Sequence, residues 1–174
     1  YYDLKTDAQK GKEGIFNYTI EMNSYEGGAH GNQVSTYLNF YTESGKLVTL
    51  DDLFVPGYET SLNEILLKAL MQQAEVTTME ALQEKGYLMW TSMYPSKNFL
   101  LKSDGIDFLY NAYEIAPYVV GVTVLKIPYE ALTDVLKKYP FWVAPGEKFI
   151  GENYVYDQID QKYKLLLLNE ILHI

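Results

Sequence analysis

His30 is the residue with the most accessible chemistry in this chain. It lies inside Tyr25-Glu26-Gly27-Gly28-Ala29-His30-Gly31-Asn32, a run with three glycines in five positions, and it is one of two histidines among 174 residues. An imidazole can serve as a general base or acid near neutral pH. That reading makes the chain a hydrolase built on His30 and a nearby carboxylate. The surroundings give it little machinery: there is no serine elbow, no H-E-x-x-H pair, no cofactor loop and no second histidine at ligand spacing. His173 reaches His30 only if the tail folds back. The other reading is that His30 bonds within the glycine loop and fixes its shape, so that Tyr25, Gly27, Gly28, His30 and Asn32 present a surface rather than a reaction centre.

Carboxylate pairs are the next candidates, because two carboxylates can hydrolyse a glycosidic bond or hold calcium. The closest are Asp51 with Asp52, Asp104 with Asp107, and Asp157 with Asp160. None completes a calcium loop, and helix capping and turn formation account for the first two. No metal or cofactor is expected. A third candidate is Tyr110-Asn111-Ala112-Tyr113-Glu114-Ile115-Ala116-Pro117-Tyr118. Tyr110, Tyr113 and Tyr118 either stack on a sugar, anchor a protein interface, or cover the end of a sheet. Trp90 and Trp142 are open to the same readings.

These residues need elements to position them. Phe16, Tyr18, Ile20 and Met22 alternate with Asn17, Thr19, Glu21 and Asn23, the pattern of a half-buried strand. Val34, Thr36, Leu38 and Phe40 repeat it beyond the glycine loop. Glu43-Ser44-Gly45-Lys46 turns into a short strand at Leu47-Val48. Thr49 caps a single helical turn. Ser61 with Glu64 forms a capping-box pattern ahead of a helix over 62–74 carrying Leu62, Ile65, Leu66, Ala69 and Leu70. Thr77 with Glu80 opens a second helix ending near Gly86. Residues 98–102 and 106–110 read as a hairpin about Ser103-Asp104-Gly105. The β-branched run 118–127 reads as a central strand covered on both faces. Pro128 then opens a helix with Tyr129, Leu132, Val135, Leu136 and Tyr139 on one stripe. The fold class is therefore α+β, an antiparallel sheet of meander and hairpins packed against two to three helices. Residues 1–14 are a leading segment or the remnant of an upstream domain, 15–140 the domain proper, and 141–174 a tail that docks on the domain or contacts a neighbouring chain.

Composition narrows the function classes. A formal net charge of −9 argues against nucleic acid as a partner. The absence of cysteine excludes disulfides, thiolate zinc sites and a cysteine nucleophile. The apolar runs are too short to cross a bilayer. The chain opens on Tyr1, and we read it as a trimmed piece whose targeting segment is missing. Seventeen tyrosines supply amphipathic surface suited to sheet faces and to recognition.

Several ordered motifs carry a family likeness. Tyr25-Glu26-Gly27-Gly28-Ala29-His30 is similar to the Tyr-x-Gly-Gly-Ala-His element of a bacterial domain of unknown function. The likeness continues through Gly45-Lys46-Leu47-Val48-Thr49-Leu50-Asp51-Asp52-Leu53-Phe54. It returns at Asp104-Gly105-Ile106-Asp107-Phe108 and Tyr113-Glu114-Ile115-Ala116-Pro117-Tyr118, and closes at Gly121 and Ile127-Pro128-Tyr129. The chain thus resembles the C-terminal extracytoplasmic domain of the lysozyme-sensing anti-sigma factor RsiV, a domain also found beside the catalytic domain of PdaC-like peptidoglycan deacetylases. The tail beyond Pro140 departs from it. The resemblance implies an α+β domain outside the cytoplasm, in periplasm or at the cell surface, tethered to the membrane by a segment absent here, as in lipoproteins. It implies a non-enzymatic role in binding a lysozyme-like protein. A wall-glycan-binding accessory module is the alternative, and the His30 hydrolase the second alternative.

Overall fold

The alternating segments form strands, as their period of two requires. The computed structural model describes residues 1–137; Trp142, the 141–174 tail, His173 and the Asp157–Asp160 pair lie outside them. Strands β1 (Tyr2–Lys10), β2 (Ile15–Ser24) and β3 (Asn32–Tyr41) make an antiparallel meander in the order β1-β2-β3. Residues 2–10 of the leading segment are thus its first strand. A second antiparallel sheet holds β4 (Phe99–Leu101), β5 (Gly105–Tyr110) and β6 (Thr123–Pro128), with β5 in the middle. Between the sheets in sequence run helices α1 (Leu50–Leu53), α2 (Glu59–Gln73) and α3 (Met79–Glu84). The fold is α+β.

The main core lies between α2 and the second sheet. Leu62, Leu66 and Leu70 recur at helical spacing and are fully buried, and α2 packs against β6. Phe99, Leu101, Ile106, Phe108, Leu125 and Ile127 supply the sheet side. Gly105 permits a close crossing here. A Cβ on it would sit 2.3 Å from the Ile127 carbonyl oxygen.

Four expectations about these elements are corrected. Helix α2 starts at Glu59, so Ser61 lies inside its first turn, and α3 is capped by Thr78, whose hydroxyl accepts from Ala81 N at 3.2 Å. Residues 118–127 are not one central strand. A 3-10 turn over Tyr118–Val120 ends at Gly121, whose φ of 77° an L side chain rarely adopts, and β6 then runs along an edge with alternating burial. After Pro128 the described residues make a short 3-10 turn, Tyr129–Leu132, in place of the expected helix, although Leu132 and Val135 are buried as the stripe required; Tyr139 lies outside the described residues.

The first sheet inverts the expected assignment of faces. None of Phe16, Tyr18, Ile20, Met22, Val34, Thr36, Leu38 and Phe40 is buried, whereas Asn17, Ser35 and Asn39 on the opposite face are. That polar face carries the joint to the second sheet. Asn39 donates from Nδ2 to Phe99 O at 2.7 Å and accepts from Leu101 N at 2.8 Å. Its amide straddles Leu100 as a residue of a parallel strand would. Asn98 does the same about Thr36, accepting from Tyr37 N at 2.6 Å and donating to Ser35 O at 2.8 Å. Asn111 accepts from Ser35 N at 2.8 Å and donates to Ser35 O at 3.1 Å, and Asn17 donates to Leu101 O at 2.9 Å. Side-chain amides thus continue the ladder where the backbone strands do not pair.

Candidate functional site

The glycine loop leaves β2 at Ser24 and enters β3 at Asn32. Gly27 and Gly28 have φ of 100° and 103°, with open space where a Cβ would stand, so the need for glycine there is conformational rather than steric. Tyr25 spans the turn: its hydroxyl donates to Gly28 O at 3.0 Å, and its backbone exchanges hydrogen bonds with Tyr1.

The second segment is anchored on the opposite side. Asn111 N donates to Glu114 Oε2 at 2.9 Å, Glu114 N donates to Asn111 O at 3.1 Å, and Tyr113 N donates to Ala116 O at 2.9 Å. Tyr113 is held at φ 71°. Burial pushes the Glu114 carboxyl above its usual range, against the lowering by the Asn111 N–H. Since the Asn111 side chain grips Ser35 of β3, this connection is fixed to the first sheet.

The two segments meet in one aromatic stack. Tyr118 lies on the His30 ring with centroids 3.7 Å apart and planes at 15°, and Tyr113 closes the group at 5.9 Å from Tyr118. Nδ1 of His30 lies 2.9 Å from Gly31 O, a pure acceptor, so Nδ1 carries a proton. In the neutral ring Nε2 is then the acceptor for the Tyr113 hydroxyl at 3.2 Å. Both ring nitrogens are engaged. Beside the stack opens a cleft of about 490 Å³, bordered by Tyr2, Met22, Glu26, Asn32, His30 and Tyr113.

The sequence candidates divide accordingly. His30, Tyr113 and Tyr118 come together, and Gly27 and Asn32 border the same cleft, while Tyr25 and Gly28 shape the loop beside it. Tyr110 does not join them. It is fully buried, its hydroxyl donates to Tyr94 O at 2.7 Å, and it packs edge-on against the Tyr94 ring. Tyr2 and Met22 were missed as cleft residues. Their signal is register: Tyr2 pairs with Ser24, and Leu4 with Met22, which requires knowing that residues 2–10 form a strand.

The first carboxylate pair holds structure. Asp52 accepts from both Thr49 N and Thr49 Oγ1 at 2.8 Å, closing the cap of α1, and Asp51 accepts from the Tyr58 hydroxyl at 3.3 Å. Burial resists ionisation of Asp52, yet the Thr49 hydrogen bonds and the Lys46 and Lys137 charges hold its carboxyl below the usual range. Burial likewise pushes the Tyr58 hydroxyl up to about 12. Asp104 and Asp107 line a second, mixed-charge cleft of about 330 Å³ with Lys102 and Lys126. Burial pushes the Asp107 carboxyl up, with Lys126 and Lys102 opposing.

With this geometry in hand, the chain can be set beside known proteins. Residues 51–130 match the family described as "Protein of unknown function (DUF3298)". The chain is 26% identical over 137 residues to the peptidoglycan-N-acetylmuramic acid deacetylase PdaC of Bacillus subtilis, covering 76% of this chain and 29% of that enzyme. A solved DUF3298 member from Bacteroides fragilis aligns with a TM-score of 0.76 at 38% identity, over 80% of this chain and 55% of that one. One from Pseudomonas aeruginosa aligns at 0.66 and 23% identity, over 82% and 65%, and shows the fold alone. The motif resemblance to the domain of unknown function carried by PdaC-like deacetylases therefore holds. The chain spans under a third of the curated relative it matches.

Proposed function

We propose that this chain, whose residues 51–130 match the DUF3298 family, is a non-enzymatic bacterial cell-envelope module that binds a protein partner at the cleft beside the His30–Tyr113–Tyr118 stack. The stack itself carries the reading. Two segments 83 residues apart are locked into one aromatic surface on which Tyr113 remains 55% exposed. Tyrosines presented rigidly at the rim of a cleft are typical anchors of protein interfaces, and prior ordering lowers the cost of binding. The engagement of both His30 ring nitrogens, the Thr49 cap closed by Asp52 and the hydrogen bond of Asp51 with Tyr58 support a binding role over a hydrolytic one.

The peptidoglycan chemistry in the name of the Bacillus relative supports a place outside the cytoplasm. Among the described residues no helix is long and apolar enough to cross a membrane. The partner we propose is a lysozyme-like muramidase. A net charge of −9 favours encounter with a basic enzyme and makes association salt-sensitive.

The test is calorimetric titration with a c-type lysozyme at low and moderate salt, using wild type, His30→Ala and Tyr113→Ala. Stoichiometric binding that weakens with salt is expected, with Tyr113→Ala weakening it by about thirtyfold. Binding untouched by either substitution would place the interface elsewhere. The exposed rings of Tyr25 and Tyr113 favour one alternative, stacking on a wall glycan. No affinity for lysozyme together with salt-insensitive binding of soluble peptidoglycan fragments would establish it.

A further inference from the structure

The two edges of the first sheet differ. Along β3 five outward groups are consumed: Ser35 N–H and C=O, Tyr37 N–H, Asn39 C=O and Tyr41 N–H all have partners. Along β1 they are not. Tyr1 and Tyr25 exchange both backbone bonds, at 3.0 and 2.9 Å, and Gly11 N donates to Ile15 O at 3.1 Å. Odd residues of β1 therefore face β2, and the N–H and C=O groups of Tyr2, Leu4, Thr6, Ala8 and Lys10 point outward. None of these groups bonds another described residue. Only Asp3 of the nine strand residues is not exposed.

We infer that two copies of this chain pair antiparallel through β1 about a two-fold axis at Thr6, joining two three-stranded sheets into one. A bare edge of this length is a template for pairing, and edge charges ordinarily discourage it. Here their spacing is self-complementary. Full overlap of Tyr2–Lys10 on itself centres on Thr6 and sets Lys5 opposite the partner's Asp7 twice. It also sets Leu4 opposite the partner's Ala8, Tyr2 opposite the partner's Lys10, and Asp3 opposite the partner's Gln9.

The parity agrees with the charges. Every even residue meets an even residue, so the outward backbone groups bond across the axis. The Lys5–Asp7 pairs then fall at the intervening positions, where side chains approach most closely. Centring the overlap on a neighbouring residue instead sets Lys5 against the partner's Lys5, or Asp7 against the partner's Asp7. Lys5 is available to turn across: its side chain is 69% exposed and reaches Asp3 only at 3.8 Å. Asp7 has no ion-pair partner among the described residues.

The unburied apolar face supplies the second term. Tyr2 and Leu4 are 66% and 65% exposed and lie on the face of Phe16, Ile20 and Met22. Pairing sets each against side chains of the second copy and makes the two apolar faces continuous. The contact is isologous and closes after two copies, because the two-fold axis spends the β1 edge of each copy on the other, while the β3 edge is already bonded at Ser35, Tyr37, Asn39 and Tyr41.

Sedimentation velocity across a concentration series at low salt tests the inference with wild type, K5D, D7K and the double variant K5D/D7K. A monomer–dimer equilibrium is expected. Each single reversal weakens it by about tenfold or more, since both pairs turn repulsive together, and the double variant restores it. Register is tested separately, since the chain has no cysteine. Mild oxidation of a mixture of K5C and D7C chains should cross-link unlike copies, and neither chain alone should cross-link comparably. Circular dichroism confirms folding of each variant. Wild type that stays monomeric to its solubility limit overturns the inference. So does a dimer indifferent to both reversals, or one in which K5C links to itself as readily as to D7C.

Discussion

Replacing Asn39 with alanine tests the amide joint between the sheets. The Asn39 side chain is 2% exposed and satisfies two buried backbone groups, the Phe99 carbonyl at 2.7 Å and the Leu101 N–H at 2.8 Å. An alanine satisfies neither. A buried backbone group left without a partner costs about 1–3 kcal/mol, so the pair should cost about 2–6 kcal/mol. A domain of this size has about 5–15 kcal/mol of stability, so the loss is a large fraction of the whole. Asn98→Ala is the internal control. It also removes two bonds, to Tyr37 N and Ser35 O, but the site is only partly buried, so water can replace the amide and about 1 kcal/mol is expected. Urea unfolding, with the slope against denaturant unchanged, is the measurement. Combined with Asn17→Ala, the loss should be less than additive, because Asn17 and Asn39 hold the two backbone groups of the same Leu101. An Asn39→Ala cost below about 1 kcal/mol, or one equal to that of Asn98→Ala, would refute a joint carried by buried amides.

Further expectations concern packing, pH and the cleft. Gly105→Ala should destabilise by at least about 2 kcal/mol, because its Cβ meets the Ile127 carbonyl at 2.3 Å; thermal unfolding reads this, and a change under half of that figure would count against the close crossing. The lowered carboxyl of Asp52 contributes stability present above the ordinary aspartate range and lost as pH falls through its folded value, so Asp52→Asn should flatten the acid limb of a stability–pH profile. Glu114 and Asp107 have the opposite sign: their raised carboxyls favour the folded state below the ordinary range and lose that contribution as pH rises through their folded values. Glu114→Gln, which keeps the acceptor for Asn111 N–H, should therefore not destabilise at neutral pH. Asn111→Ala should speed hydrogen exchange at the Ser35 amide and weaken partner binding at the stack; unchanged exchange would show that the connection does not depend on this clamp.

The strands were legible from alternation, but the buried face was not. A period of two says that the faces of β2 differ; it does not say which one turns inward. The apolar set was the natural choice, and the structure buries Asn17, Ser35 and Asn39 instead. The reason is non-local. Each amide finds its partner some sixty to eighty residues away, and nothing near Asn39 in sequence announces Phe99 and Leu101. The run 118–127 misled in the other direction: its β-branched residues argue for a central strand, but Gly121 at φ 77° breaks it and β6 lies on an edge. At the site, glycine density marked the loop and tyrosine density marked the connection. That His30 stacks on Tyr118, while Tyr110 at the start of the same connection is buried, depended on how β5 is covered.

The inverted face bears on function through register. Asn39, Asn98 and Asn111 each spend one donor and one acceptor in fixed order, so sliding β3 along the second sheet by one residue would misalign all three together. An apolar joint would tolerate such a shift at smaller cost, because apolar contacts are not directional. The Asn111 clamp on Ser35 lies two residues before Tyr113 and five residues after His30 along the chain, so fixing the register fixes the separation of the two rings. The polar residues of β2 and β3 therefore perform the positioning that a core ordinarily performs. That leaves the apolar face and the β1 edge open to contacts made between molecules.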